Sequence, residues 1–444
     1  MLKFIKWSLA ALLVGALAAS AAARAENPFR GFPDFDGRKI GHVWIIVLEN
    51  ESFNDTFGPN SLAPFLSKTL PSQGVMLNQY YATGHVSLDN YISMVSGQGP
   101  TVQTRVDCTF YDDFQLTGIT PDGQAIGTGC VYPPQIKTIG DQLTAARLSW
   151  KGYMEDMGKN PAREQATCGQ PLITVNGVTK VALNQVDGTQ AAEAFPGGDQ
   201  YAARHNPFAY FHSLIDSGQC ARHVVNFNQF QQDLAHESTT PYFSFITPNL
   251  CHDGHDGNGT TTKCKNTVEP GGLVSIDAFL KQTVPLIMNS PAYKEDGLII
   301  VTFDEGGLTF DGANSQITAE GISCCGQQPG PNIEPLLVPG QPLKLGFENI
   351  PRGTPPNFFT TTTGFGGDRI GGVLLSPFLK PGTVSNVPFN HYSMLKTVED
   401  IFGLDHLGYA GQPGLQGFFG CTNSDIRVGR DDDDQFRHCQ RDRD

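Results

Sequence analysis

The 444-residue chain has no excess of basic residues: Lys and Arg total 30 against 44 Asp and Glu, a formal charge of −14. Phosphate backbones and anionic membrane surfaces would repel such a chain, so nucleic-acid binding by bulk charge is excluded. Charged residues are only 17% of the chain while hydrophobic ones reach 39%, which excludes wholesale disorder and leaves enough apolar surface for a sizeable core. The 50 Gly and 30 Pro follow no fixed period, so collagen-like and solenoid architectures are excluded as well. No C-x-x-C pair occurs, which argues against zinc-thiolate ligation, and no G-x-S-x-G elbow occurs, which argues against a lipase-type nucleophile.

Long hydrophobic runs are also missing, apart from Trp7–Ala19, which is too short for a stable span of about 20 residues. It follows Lys3 and Lys6 and precedes the small-residue stretch ending Ala23-Arg24-Ala25, the pattern of a secretory signal cut after residue 25. Its removal takes three cations and no acid, leaving 27 basic against 44 acidic residues, 17 units negative. The expected mature protein is periplasmic or secreted, with no stable membrane insertion. All ten cysteines lie beyond residue 25, and an even count in an exported chain predicts disulfides. The short loops suggest Cys108–Cys130, Cys251–Cys264 and Cys421–Cys439, although spacing does not fix connectivity. Cys324 and Cys325, being adjacent, are expected to seek distant partners rather than each other.

Continuous apolar runs at His42–Leu48, Tyr242–Thr247, Leu298–Phe303 and Gly372–Ser376 predict strands buried on both faces. Helical spacing joins Ile139, Leu143 and Ala146, and again Met394, Leu395, Val398 and Ile401 before Gly403. The alternation predicts an α/β protein with a central, mostly parallel sheet, whose ligands sit beyond the carboxyl ends of the strands. One domain over residues 26–429 is expected, with polar insertions or a lid near 164–200 and 306–368 and a solvated acidic tail at 430–444.

Oxygen donors stand where strands end. His42–Leu48 runs into Glu49-Asn50-Glu51-Ser52, and Leu298–Phe303 into Asp304-Glu305. If the two strands are central, Glu49, Asn50, Asp304 and Glu305 converge and call for a divalent cation; the competing reading is that each caps a following helix. Ser87, in YYATGHVSLDNY, stands at a helix start with His85 before it and Asn90 one turn on. This suits a nucleophile with Asn90 donating to a phosphoryl oxygen, or an ordinary N-cap. His252 and His255 in TPNLCHDGHD, and His391 at the start of HYSMLKTVEDIFG, are candidates for phosphate contact or proton transfer, or polar-loop histidines without a catalytic task.

Taken together, ENESFNDTFG, YYATGHVSLDNYISMVSGQ, TPNLCHDGHD, VTFDEGG and NHYSMLKTVEDIFGLDHLGYA resemble the bacterial phosphoesterase family of secreted acid phosphatases and phosphocholine-type phospholipases C, within the alkaline phosphatase superfamily. The resemblance implies a three-layer α/β/α sandwich and a monoester phosphatase with Ser87 as the phosphoryl acceptor, phosphoinositides being among the substrates of that branch. It further implies one divalent metal held by Glu49, Asn50, Ser87, Asp304 and Glu305. Ligand hardness favours Ca²⁺ or Mg²⁺, with Zn²⁺ or Mn²⁺ as alternatives. His85, His252, His255 and His391 fall in the family's phosphate-contacting or proton-transferring blocks. The superfamily's two-metal enzymes surround the second metal with more histidine and aspartate, so one metal is expected here. The alternatives are a phosphodiesterase, whose choline box would come from Tyr80, Tyr81, Tyr91 and Trp150, and a silent phosphate-binding module.

Overall fold

A computed structural model describes residues 40–193, 198–264, 267–311, 316–346 and 359–419. The expected signal sequence at 1–25, the expected acidic tail at 430–444 and the suggested pair Cys421–Cys439 lie outside the described residues. An eight-stranded sheet forms the centre, in the order Thr383–Ser385, Val75–Leu77, Gly372–Leu375, Gly297–Phe303, His42–Leu48, Phe243–Thr247, Trp150–Met154 and Val224–Asn226. Gly372–Leu375 runs antiparallel to both its neighbours, and the remaining pairings are parallel.

The central strands explain themselves. HVWIIVL and GLIIVTF are buried at every position, so side chains on both faces of the sheet are covered. A parallel sheet requires that coverage, because its crossover helices lie on its faces. Pairing runs in register from His42↔Gly297 to Leu48↔Phe303, so the residues that follow, Glu49 and Asp304, leave the sheet side by side. The Phe243–Thr247 strand lies against the other edge of His42–Leu48 and delivers the 249–256 loop to the same end.

Two helices support that end. Ser87–Ser96 is buried along its whole length, and His391–Phe402 opens with a capping box in which the Asn390 side chain accepts from Ser393 N while Asn390 N donates to Ser393 Oγ. Gly403 ends the second helix with φ of 64°, as its sequence position predicts. The expected helix at Ile139–Ala145 buries Ile139 and Leu143, but Ala146 caps its end in an exposed position, so the expected stripe is one residue too long.

The two polar stretches hold structure that composition hides. Within 306–368 the strands Thr309–Asp311, Gln316–Ala319, Phe359–Thr362 and Leu343–Gly346 form a second sheet. Within 164–200 a hairpin pairs Leu172–Val175 with Val178–Val181. Arg163 anchors the flanking loop by donating to the carbonyls of Gly188, Thr189, Ala191, Asp199 and Tyr201. Cys108–Cys130 and Cys251–Cys264 pair as the short loops suggest, and Cys168 joins Cys220. Cys324 and Cys325 do bond to each other, contrary to expectation. Their two α-carbons are 3.8 Å apart across one peptide unit, and the Cys325 backbone, at φ 63°, turns so that the sulfurs meet. Among the described residues no helix is long and apolar enough to cross a membrane.

Candidate active site

At the carboxyl ends of three neighbouring strands, acidic groups meet without compensating cations of equal number. Asp304 N donates to Leu48 O and Glu49 N to Asp253 O, both at 2.8 Å, which ties the three strand ends together. Asn50 adopts φ of 60°, a left-handed turn that Asn tolerates, and its amide donates to Asp304 Oδ1 at 3.2 Å. Glu305 Oε2 accepts from His85 Nδ1 at 2.6 Å and from Val86 N at 2.9 Å. Ser87 Oγ donates to Glu49 Oε2 at 2.9 Å, at the first position of the Ser87–Ser96 helix. Glu49, Asp304 and Glu305 thus lie in one buried acidic region, with Ser87 bonded to Glu49, while the Asn50 contact to Asp304 is made by its backbone.

Burial, then the charges of Asp304 and Asp253, pushes the Glu49 carboxyl well above its usual pKa. Asp304 is raised by burial and then by Glu305, and Asp253 is raised by burial. Glu49 Oε1, Asn50 Oδ1, Asp304 Oδ2, Glu305 Oε1 and His205 Nε2 are all buried without a hydrogen-bond partner. Unpaired buried acceptors of this kind are costly, and a bound cation is one way to satisfy those it reaches. Glu49, His205 and Asp253 place one ligand atom each within 4.8 Å of one another, a grouping able to hold a metal ion. The donor set fits a divalent cation.

His205 and Asp253 are functional candidates that sequence reasoning missed. His205 Nδ1 lies 3.1 Å from Asp253 Oδ2, and its Nε2 approaches Glu49 Oε1 to 3.1 Å without the alignment of a hydrogen bond. Its ring stacks on Tyr91 at 5.2 Å, and burial followed by Arg204 and His255 lowers its pKa well below the usual value, so it stays neutral and able to ligate. Asp253 sits inside the motif HDGHD, but spacing drew attention to its flanking histidines. Nothing in the local pattern around His205 marks it.

Ser87 and His85 lie at the centre. His85 is held on both sides, its Nε2 being 3.1 Å from Asp368 Oδ2; burial would lower its pKa, but the hydrogen bonds to Asp368 and Glu305 push it up to about 9. His255 forms an outer wall, with Nε2 3.0 Å from an Arg204 nitrogen and Nδ1 3.0 Å from Asp256. His391 sits behind the cluster: its Nε2 is 2.6 Å from the Asp304 carbonyl and its Nδ1 3.1 Å from Tyr80 Oη, and burial brings its pKa down to about 4.

Two expected contacts are not made. The Asn90 amide donates to Gly84 O and Asp89 Oδ1, while its oxygen accepts from Thr83 N and Gly84 N, so it braces the loop and has no donor left for a phosphoryl oxygen. His252 turns away from the cluster and is clamped between Glu155 at 2.9 Å and Glu269 at 3.0 Å. These carboxylates outweigh the lowering by burial and carry its pKa to about 9. A pKa raised on folding gives stability that is fully present below about 6.5 and is lost as pH rises through about 9. His252→Gln should therefore melt a few degrees below the parent at pH 6, with the gap closing by pH 10 in thermal unfolding.

Val86 precedes the nucleophile candidate at φ 72°, ψ 132°, a backbone region that β-branched residues rarely enter. Glycine adopts it without penalty, so the usual order should invert. Val86→Gly should be more stable than Val86→Ala by about 1–2 kcal/mol, measured by denaturant unfolding. Equal stabilities, or the ordinary preference for Ala, would show that this backbone is not strained.

The choline box does not form. Tyr80, Tyr91 and Trp150 are buried with separate partners, Tyr80 meeting His391, Tyr91 stacking on His205 and Trp150 on His223, while half-buried Tyr81 donates its hydroxyl to Gln79.

Fold and site together define an α/β protein with a serine and a carboxylate cluster at the carboxyl edge of its sheet. The Phosphoesterase family model matches residues 60–405, and the chain belongs to that family. It is 30% identical over 288 residues to the phosphate-repressible acid phosphatase of Penicillium chrysogenum, covering 64% of this chain and 53% of that protein. It is 23% identical over 371 residues to the phosphatidylinositol-3-phosphatase of Mycobacterium tuberculosis, covering 84% and 80% respectively. A solved alkaline phosphatase superfamily protein from Vibrio parahaemolyticus is 14% identical, with 83% of this chain and 67% of that one covered and a TM-score of 0.41. The chain spans about half the length of the acid phosphatases it matches.

Proposed function

We propose that this protein is an exported phosphatase that hydrolyses phosphate monoesters through a phosphoserine at Ser87, with residues 1–25 as its export signal. The observation that carries the reading is the Ser87 Oγ to Glu49 Oε2 hydrogen bond of 2.9 Å, made at a helix start to a carboxylate that groups with His205 and Asp253 as candidate metal ligands. One divalent cation would be held by Glu49, Asn50, Asp304 and Glu305 together with Ser87, and His205 and Asp253 stand close enough to share it. Oxygen donors favour Ca²⁺ or Mg²⁺, whereas use of the His205 nitrogen would favour Zn²⁺ or Mn²⁺. When bound, the cation supplies charge neutralisation of the carboxylates and activation of the serine hydroxyl.

The remaining work belongs to the chain. Glu49 orients the hydroxyl and accepts its hydrogen bond. As Ser87 Oγ attacks phosphorus in line, its proton passes along the existing hydrogen bond to Glu49 Oε2 and the new P–O bond forms as the ester P–O bond breaks; solvent or one of the histidines protonates the leaving alcohol, and water then cleaves the phosphoserine, returning the serine hydroxyl and phosphate. The partial positive charge of the helix N-terminus favours the phosphoryl group beside Ser87. Doubly held, His85 cannot swing away, so its position relative to Ser87 is fixed. Phosphoinositides carry monoester phosphates on the inositol ring, and the Mycobacterium tuberculosis relative is named as a phosphatidylinositol-3-phosphatase, so they are substrates worth testing.

Phosphate release by residues 26–444 from p-nitrophenyl phosphate and from p-nitrophenyl phosphocholine, before and after chelation and metal add-back, tests the reading. Monoester turnover that disappears with chelator and returns with metal is expected. Preferential cleavage of the diester, or no turnover by metal-loaded protein, would overturn it.

A further inference from the structure

The four disulfides among the described residues differ in their surroundings. The cysteines of Cys108–Cys130, Cys168–Cys220 and Cys251–Cys264 are all buried, whereas Cys324 and Cys325 are half-buried and open to small reagents. The Cys324–Cys325 turn also lies where three parts of the site meet. Gln327 N donates to Cys324 O at 2.9 Å, and the Gln327 side chain donates to Thr83 O at 2.6 Å, two residues before His85. On the other side Ile322 N donates to Asp368 Oδ1 at 2.5 Å and Asp368 N returns a bond to Ile322 O at 3.0 Å, while Asp368 Oδ2 holds His85 Nε2. Cys324 Sγ rests 3.3 Å from Phe389 O, next to the capping box of the His391–Phe402 helix, and Cys325 packs against the cluster of Tyr392, Tyr409 and Leu415.

Resting on the phosphatase reading of Ser87, we propose that the Cys324–Cys325 disulfide is a positioning element for the catalytic loop Thr83–Ser87, and that its reduction lowers turnover. The disulfide closes a small ring containing the peptide bond between the two cysteines, which removes torsional freedom from both residues. The turn can then present Gln327 to Thr83 and Ile322 to Asp368 in one arrangement. Opening the ring restores that freedom, and its entropy opposes both tethers. The reductant is a dithiol: it gives two electrons and two protons to the S–S bond, yields two cysteine thiols, and itself closes to a disulfide. Cys324 and Cys325 touch neither Ser87 nor the carboxylate cluster, so their effect on chemistry runs through Thr83, Asp368 and His85.

The test compares the parent, the same protein after mild dithiol treatment, and the double variant Cys324→Ser/Cys325→Ser. Alkylation and mass spectrometry verify that the three buried disulfides stay intact. Backbone hydrogen exchange over residues 80–92 is read beside kcat and KM. Faster exchange confined to this segment is expected in both opened forms, with kcat about tenfold lower and KM changed less than about twofold, since small misplacements of catalytic groups cost rate rather than binding. Reoxidation should restore the treated parent, and dithiol should leave the double variant unaffected. Gln327→Ala, which keeps the disulfide and cuts one tether, should reproduce part of the loss and serves if the double variant does not fold. Unchanged exchange on opening the disulfide, or loosened exchange with kcat unchanged, would overturn the proposal. A parent protein with no monoester turnover, but whose loop loosens on reduction, would instead refute the phosphatase reading and leave the positioning role standing.

Discussion

Ser87→Ala is expected to lower monoester turnover by at least about 10³-fold while leaving the protein folded and able to bind metal. The expectation follows from how little else the hydroxyl does. Its one described partner is Glu49 Oε2, and Glu49 has other neighbours in Asp304, Asp253 and His205. The Ser87–Ser96 helix starts from the bent Val86 without a side-chain cap, so its start does not depend on Ser87 Oγ. Removing that oxygen takes away one of the cation's proposed ligands but leaves the carboxylates, so at saturating metal the melting temperature should stay close to the parent's, which separates a chemical defect from a structural one. Acid quenching of the parent during turnover should trap a phosphorylated peptide containing Ser87, absent from the variant. A variant with more than about a tenth of parental kcat, or a phosphopeptide mapping elsewhere, would remove Ser87 from the mechanism.

The reason Ser87, Glu49 and Asp304 could be found without coordinates is that each follows or faces a feature with a strong local signature. A fully apolar strand predicts its own end, and in a parallel sheet adjacent strand ends deliver their next residues to one place. Glu49 and Asp304 needed only that the two most apolar runs be neighbours, and their register makes them so. His205 had no such help. It comes from a single 3₁₀ turn, Ala203–His205, among buried aromatic residues, and reaches Glu49 only because the chain folds across the Ser87–Ser96 helix. In the HDGHD motif only His252 departs from the expected placement, for a related reason: a tight loop alternates directions, and the structure turns Asp253 inward while His252 leaves to meet Glu155 and Glu269. Polar composition likewise concealed the Thr-rich second sheet, whose strands carry few apolar residues to mark them. The Cys324–Cys325 bond escaped because it depends on a left-handed backbone at Cys325 that residue spacing does not report.

Asp304→Asn should act in opposite directions on the metal-free and metal-loaded protein. Asp304 Oδ1 accepts from Asn50 N and Glu305 N, and an Asn oxygen can keep both bonds, so the substitution alters chiefly the unpaired Oδ2. Without metal, Asp304 and Glu49 are acidic groups buried against each other, and their raised pKa values mean that the folded state holds protons more tightly than the unfolded one. A carboxyl whose pKa is raised on folding has its full relative stability below the unfolded value near 4, and that stability is lost as pH rises through the folded value. Metal-free parent should therefore lose thermal stability as pH rises above about 4, and metal-free Asp304→Asn should melt higher than the parent at pH 8 because one buried ionisable carboxyl is gone. With metal the order reverses: the parent gains stability by binding, the variant loses a charged ligand, and its metal affinity should fall by about 10–100-fold or more. Turnover at limiting metal should fall at least in proportion. Melting curves at both pH values, with chelator and with added Mg²⁺, Ca²⁺, Mn²⁺ or Zn²⁺, read the sign directly. A variant that is less stable than the parent even without metal would mean that Asp304 is already compensated by protein groups, and the cluster would then have no electrostatic need of a cation.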